Sequence, residues 1–280
     1  MSSVIRRRAR PLLGTFVEIR VEGLDNARAA CAVDDAYAEV AAIHRLMSFH
    51  EAGSDLDRLH RARIGDRVRV DVRTYGVLEW SARIAAASSG LFDPTVAMQL
   101  VARGQLPRPA STWSPHAKAD WRDIELLESC HVRLARPLWI DLGGIAKGYA
   151  VDRAVEILLT AGATQVCVNA GGDLRVAGAC AEPIHLRAQA GMSANPVIEL
   201  ADGALATSAG ASTHVHGRTR RVIGLRDVAS VAARHCIVAD ALTKVVLAGD
   251  NVLCQRVLAQ FGAQALQSID GAASLIGAAA

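Results

Sequence analysis

The stretch Ile140-Asp141-Leu142-Gly143-Gly144-Ile145-Ala146-Lys147-Gly148-Tyr149-Ala150-Val151-Asp152 decides how this chain reads. The apolar run Leu138 to Leu142 predicts a strand, and the glycine pair after it predicts a turn. A helix then follows over Ala146 to Ala161, with Ala150, Val151, Ala154, Val155, Leu158 and Leu159 mostly on one face and Gly162 just past its end. A strand, two glycines and a lysine at a helix start can cradle an anion. Glycine lets the backbone approach closely, the helix start offers free N–H groups and a positive dipole end, and Lys147 adds a mobile charge. The same spacing also describes a tight turn with a solvated lysine, and it is neither a GxGxxG fingerprint nor a Walker A loop.

Working outward, Val17, Ile19 and Val21 alternate with Glu18, Arg20 and Glu22, which predicts a half-buried strand over Thr15 to Val21 that ends at Gly23. Asn26 to Met47 carries Ala29, Val33, Ala36, Val40, Ile43 and Met47 at helical spacing. Ser48 to Leu59 turns through Glu51 to Ser54, Asp66 to Val72 alternates as a second strand, and Thr74 to Ser88 is helical with Gly90 as its stop. Gly104 to Pro115, with three prolines, reads as a loop. Ile124 to Leu127 and His131 to Leu134 predict a short hairpin, and Gln165 to Asn169 a buried strand. Further on, a strand is expected from Val228 to Val238 and a helix from Asp240 to Leu247. No repeat of fixed period is present.

Of 280 residues, 51% are hydrophobic and 21% charged, and the mean hydropathy is +0.21, which fits neither a disordered chain nor a multi-span membrane protein. A net charge of +3, from 31 basic and 28 acidic residues, is too balanced to imply a nucleic-acid partner. The arginine-rich start, Met1 to Arg10, leads into no apolar segment, and no run is apolar enough to span a membrane, so a cytoplasmic protein is expected. The six cysteines form no CxxC pair, which argues against a zinc knuckle and a disulfide framework. Only three basic residues are lysines: Lys118, Lys147 and Lys244. Two of them stand at predicted helix starts, where a compact ammonium serves if a planar guanidinium does not fit.

Other segments read two ways. Asp240, in Ala239-Asp240-Ala241-Leu242-Thr243-Lys244, either caps its helix or offers hard oxygens to a cation; near the Gly144 turn it would suit magnesium and a diphosphate. Val168 to Leu174, with Gly171 and Gly172, and the hydroxyl-bearing Ala206-Thr207-Ser208-Ala209-Gly210 either admit a ligand to the backbone or are ordinary turns. Phe92-Asp93-Pro94 reads as a turn, and Met47 as a core residue closing the first helix. His214 and His216 would share a face on a strand as a metal pair, or are solvated loop residues. Spacing assembles no Ser-His-Asp or Cys-His site.

Taken in order, Pro11 to Thr15, Met47-Ser48 with Ser54-Asp55-Leu56, Gly90 to Thr95, Asp141 to Asp152, Asn169 to Asp173, Ala206 to Ser208 and Ala239 to Leu242 resemble the FAD:protein FMN transferase (ApbE) family over nearly the whole chain. The resemblance implies an α+β fold in which two intimately packed α/β halves hold the flavin nucleotide site between them, with residues 1–280 as a single domain. It implies magnesium-dependent transfer of FMN from FAD to a Thr or Ser hydroxyl of an acceptor protein, releasing AMP. By that likeness Met47, Leu91, Phe92, Asp93, Asp141, Lys147, Thr207 and Ser208 line the FAD site. The Gly144 carbonyl, Asp240 and Thr243 would hold Mg2+, and Lys147, Asp240 and His214 would carry the chemistry, His214 as general base.

Two departures from the family pattern stand out. The family has a threonine four residues after the metal aspartate, where this chain has Lys244, with Thr243 one earlier. Either Thr243 takes over, or Lys244 supplies charge where a metal would sit. The family's His-x-x-Asp-Pro-x-Thr-Gly segment is here His214-Val215-His216-Gly217-Arg218-Thr219-Arg220-Arg221, without the Asp-Pro and the Thr-Gly. The alternatives are a flavin-binding protein without turnover and an enzyme that hydrolyses FAD to FMN and AMP.

Overall fold

A computed structural model of the chain describes residues 5–186, 197–209, 214–224, 227–269 and 272–277. Two strands, β1 (Arg6–Leu12) and β2 (Thr15–Glu22), form a hairpin, and α1 (Asn26–Met47) follows, its first turn capped by the Asp25 carboxylate. Next come α2 (Asp55–Arg61), β3 (Val68–Arg69), α3 (Val72–Ala87), α4 (Ala97–Ala102), and the hairpin of β4 (Ile124–Leu127) and β5 (His131–Leu134). Helix α5 (Ala146–Thr160) leads into β6 (Gln165–Ala170), β7 (Asp173–Gly178), β8 (Glu182–His185), β9 (Val197–Leu200), β10 (Gly203–Ala209) and β11 (Val228–Ala233). The described chain closes with α6 (Cys236–Ala248), α7 (Asn251–Gln260), β12 (Gln264–Ile269) and β13 (Ala272–Ile276).

The main sheet has eight strands in the order β1-β2-β6-β7-β10-β11-β12-β13, each pair antiparallel. Helices α1, α5 and α6 pack against it and in sequence against one another. The alternation in β2 buries Val17, Ile19 and Val21 while Phe16 is exposed, as period two requires on a sheet with one covered face. Over β7 and β10, the β8–β9 hairpin covers a smaller cluster of Leu174, Val176, Leu186, Leu200 and Leu205. Helices and antiparallel strands mix as the expected α+β class requires. Among the described residues no helix is long and apolar enough to cross a membrane.

The helices Asn26–Met47 and Ala146–Thr160, the β4–β5 hairpin and β6 stand where the patterns predicted them. Other elements differ, each for a physical reason. The arginine-rich start is an edge strand: Arg7 pairs with Glu18 at 2.8 Å, and Arg8 and Arg10 reach Asp34 on α1 at 3.2 and 2.7 Å. A helix rather than a turn follows Ser54, whose hydroxyl accepts from the Asp57 N–H at 3.0 Å. The expected strand over Asp66 to Val72 shrinks to two residues because Asp71 caps α3, accepting from the Arg73 N–H at 2.9 Å.

The segment Leu138 to Leu142, buried apart from Asp141, lies outside any strand. The Ile140 N–H donates to His60 Nε2 at 2.9 Å and the Asp141 N–H to the Pro94 carbonyl at 2.7 Å, so its donors are taken by a side chain and a loop. The segment Ala206 to Ala209 belongs to β10 rather than a loop, while Gly210 lies outside the described residues.

The strand expected from Val228 to Val238 stops at Ala233, and α6 starts four residues before Asp240. Every residue from Cys236 to Leu247 is buried except Lys244, so α6 shows no amphipathic period and its β-branched start looks like strand. Its cap is remote. The Asp152 carboxylate on α5 accepts from the N–H groups of Cys236 and Ile237, both at 2.9 Å, and from Arg175 at 2.9 Å. Lys244 therefore lies well inside a helix, whereas Lys147 is at a helix start as expected.

Candidate functional site

A cleft of about 580 Å³ opens where the end of α1, the loop after α3, the Gly143-Gly144 turn and the end of β10 converge. Met47, Leu91 and Phe92 give it an apolar wall that is continuous with the core. Asp93, Asp141, Gly144 and Lys147 give it polar lining, with Thr207, Ser208, His214 and Lys244 completing it. Ten of the twelve sequence-predicted site residues thus meet in one space. The other two, Asp240 and Thr243, are fully buried behind it and do not line it.

At the back of the cleft two ammonium groups face two carboxylates. Lys147 on α5 makes an ion pair with Asp173, the first residue of β7 after the Gly171-Gly172 turn. Lys244 Nζ donates to Asp240 Oδ1 at 2.5 Å, to the Asp240 carbonyl at 3.0 Å and to Ser208 Oγ at 3.1 Å. Burial opposes charge on Lys147, but Asp240 and Asp173 outweigh it and raise its pKa, so Lys147 is cationic at neutral pH. Burial also disfavours the Asp240 carboxylate, yet Lys244 and Lys147 hold it below the usual range. Asp173 goes the other way: burial and the Asp240 charge push it up to about 6 despite the lysines.

These residues do not fit a magnesium ion. Asp240 Oδ1 is taken by Lys244, and Oδ2 accepts the Gly148 N–H at 3.1 Å. Thr243 Oγ1 donates to the Asp240 carbonyl at 2.7 Å and stands 2.8 Å from Ser208 Oγ, so it turns inward and does not replace the missing threonine. Magnesium needs a near-octahedral set of free oxygens, and here an ammonium stands against the carboxylate that would supply the first. Among the described residues no three His, Cys, Asp or Glu side chains come together as a metal group.

Asp93 is held by its neighbours. Oδ1 accepts from the Thr95 N–H and hydroxyl at 2.8 and 2.7 Å, and Oδ2 from Arg220 at 2.8 Å. Burial raises its pKa, with Arg220 opposing. Asp141 Oδ1 accepts the Gly143 N–H at 3.0 Å and so shapes the glycine turn; burial raises its pKa too. Thr207 Oγ1 lies 2.8 Å from Ser230 Oγ on the neighbouring strand. His214 is pushed down to about 4, by burial first and then by Lys244, with Asp240 opposing, so its imidazole is neutral at neutral pH. His216 is no partner for it in a metal pair: its Nδ1 accepts from the Arg218 and Thr219 N–H groups at 3.2 and 3.3 Å and organises a turn.

Four residues that shape the site carried no assigned role in the sequence: His60, Asp152, Asp173 and Arg220. Asp173 alone had a local signal, as the charged residue closing a diglycine turn. The other three act on groups distant in sequence.

The sequence model of the ApbE family matches residues 13–266. The FAD:protein FMN transferase of Rhodobacter capsulatus is 30% identical over 181 residues, which is 60% of this chain and 34% of that protein. The FAD:protein FMN transferase of Treponema pallidum is 27% identical over 188 residues, or 61% of this chain and 51% of that protein. The match thus spans about a third to a half of the length of these two curated relatives. The crystal structure of the ApbE protein from Thermotoga maritima superposes with a TM-score of 0.84 over 98% of this chain and 97% of that one, at 24% identity, a likeness of fold. With the match running from the β1–β2 turn into β12, the chain belongs to the ApbE family.

Proposed function

We propose that this protein transfers the FMN part of FAD to a threonine or serine hydroxyl of an acceptor protein and releases AMP. The observation that carries this reading is the convergence of Lys147, Lys244 and a neutral His214 on one cleft with an apolar wall of Met47, Leu91 and Phe92. The apolar wall suits a flavin ring, and the ammonium groups suit a diphosphate. In the reaction the acceptor oxygen bonds to the FMN phosphorus as the bond from that phosphorus to the bridging oxygen breaks. AMP leaves with that oxygen, and His214 takes the hydroxyl proton. Negative charge on the diphosphate counters the repulsion that Lys244 and Lys147 exert on protonated His214, so the imidazole becomes a better base when nucleotide is bound.

Lys147 neutralises charge as it develops on the transferring phosphoryl group, and Asp173 fixes the ammonium in place. Ser208 orients Lys244, while Asp93 and Asp141 shape the loops that frame the nucleotide. Since magnesium does not fit at Asp240, the positive charge in this scheme comes from the two lysines.

Purified protein, FAD and a threonine-bearing acceptor domain are expected to yield AMP together with acceptor that carries covalent flavin. Lys147→Ala is expected to lower AMP release by about a hundredfold or more. Unchanged release in that variant would remove Lys147 from the site. Hydrolysis of FAD is the second reading, favoured by the segment His214 to Arg221, whose Arg220 is committed to Asp93 and which lacks the family's Asp-Pro and Thr-Gly. AMP formed equally without acceptor would establish hydrolysis, and FAD bound without AMP formation would point to a binding protein.

A further inference from the structure

The back of the cleft already contains a cation. Lys244 leaves α6 one turn after Asp240, and an ammonium has three hydrogens to donate. All three find acceptors: Asp240 Oδ1 at 2.5 Å, the Asp240 carbonyl at 3.0 Å and Ser208 Oγ at 3.1 Å. The stem of the side chain runs past the glycine turn. A Cβ built on Gly144 would stand 3.3 Å from Lys244 Cε and 3.7 Å from Phe92 Cε2. The lysine therefore lies between Gly144 and Asp240, the two positions at which the family resemblance would seat a metal.

Charge balance points the same way. Lys147 and Lys244 face Asp173 and Asp240, two positive groups against two negative ones in a buried setting. Even with Asp141 within electrostatic reach of Lys244, a divalent ion placed there would add two positive charges beside an ammonium, at a low effective dielectric where like charges repel strongly. An incoming diphosphate instead brings negative charge to a pair of ammonium groups that line the cleft.

We propose that Lys244 is the built-in cation of this site, standing between Gly144 and Asp240 where the family resemblance would seat a divalent metal, so that the protein holds a nucleotide diphosphate without metal. The identity of the ligand rests on the function proposed above; the exclusion of metal does not. A tethered ammonium differs from a bound ion in two measurable respects. Chelators do not remove it, and no divalent ion competes for its place.

The test compares wild type with Lys244→Thr, using the full chain. Wild-type affinity for FAD, read by quenching of flavin fluorescence, is expected to agree within about twofold between EDTA and millimolar Mg2+. Without nucleotide, Mn2+ titrated into the wild type is expected to stay free by electron paramagnetic resonance, and Mg2+ to leave the melting temperature unchanged. Lys244→Thr frees Asp240 Oδ1 and supplies a hydroxyl, so it is expected to take up one Mn2+, to melt higher with Mg2+, and to bind FAD about tenfold or more tightly with metal than in EDTA.

One Mn2+ bound stoichiometrically by the wild type, or FAD affinity rising about tenfold with Mg2+, would overturn the proposal. A folded Lys244→Thr that takes up no metal would overturn it as well, since the lysine would not then occupy a metal position. If the variant does not fold, the wild-type Mn2+ and EDTA measurements decide alone. FAD that binds under neither condition overturns the nucleotide reading, and the Mn2+ titration still judges the cation.

Discussion

His60 shows how one buried side chain sets the geometry of the site. It lies on α2 at 2% exposure, its ring 5.1 Å from that of Phe49, and its Nε2 accepts the Ile140 N–H one residue before Asp141. Burial lowers its pKa from 6.5 to about 4, although Asp57 pulls the other way. A histidine whose pKa falls on folding takes up its proton first in the unfolded chain. Its contribution is therefore complete above pH 6.5 and is lost as the pH falls towards 4. Asp173, raised to about 6 by burial and by Asp240, has the opposite sign: it adds stability at low pH that is lost as the pH rises through 6. The two overlap, so the curve of the wild type alone does not isolate either. The stability difference between wild type and His60→Gln, from guanidinium titrations, is expected to shrink by on the order of 3 kcal/mol from neutral pH to pH 4. A difference that stays constant would mean that His60 charges freely in the fold.

Between elements, the contact that positions the charged cluster is α5 against the start of α6. Gly148 permits it, since a Cβ there would lie 2.3 Å from the Cys236 carbonyl oxygen and 2.8 Å from Ile237 Cα. Gly148→Ala is expected to destabilise by roughly 1–3 kcal/mol or more in urea titrations, the clash outweighing the better helix propensity of alanine. Gly76, inside α3, has nothing within 4 Å of its Cβ position and serves as the control. Gly76→Ala is expected to stabilise by about 0.5–1 kcal/mol. Asp152 is the polar half of the same contact. Asp152→Ala removes the acceptor of two N–H groups and leaves Arg175 unpaired, which is expected to cost about 3–5 kcal/mol. A loss below about 1 kcal/mol in the same titrations would show that water or a neighbouring group caps α6 instead.

Over the whole molecule, the cleft wall is closed by an ion pair between segments 127 residues apart, Arg220 to Asp93, which the Gly217 N–H reinforces by donating to the Leu91 carbonyl at 3.0 Å. Arg220→Met leaves a buried carboxylate without its partner and is expected to cost about 3–5 kcal/mol at neutral pH. The cost should be smaller in mild acid, because the Asp93 pKa is already raised by burial and rises further without Arg220, so the carboxyl takes up a proton. Denaturation at two pH values, with FAD affinity measured alongside, checks this. An equal cost at both would mean that the loss comes from packing rather than from charge.

The sequence by itself determined what depends on near neighbours. Val17, Ile19 and Val21 on β2, the helical stripe of α1 and the glycine turn before Lys147 are local patterns, because the face an element buries repeats at its own period. Ten of the twelve site residues that the family resemblance implies line one cleft; it was the order of the motifs along the chain, not any period, that marked them. Tertiary structure decided the rest. The N-terminus of α6 is set by Asp152, 84 residues away, the β1 arginines find Asp34 and Glu18 across the fold, and Lys244, read as a departure from a pattern, occupies a cation position only because α6 lies against Gly144. Caps and charge partners are chosen by distance in space, and a remote carboxylate satisfies an N–H as well as a local one.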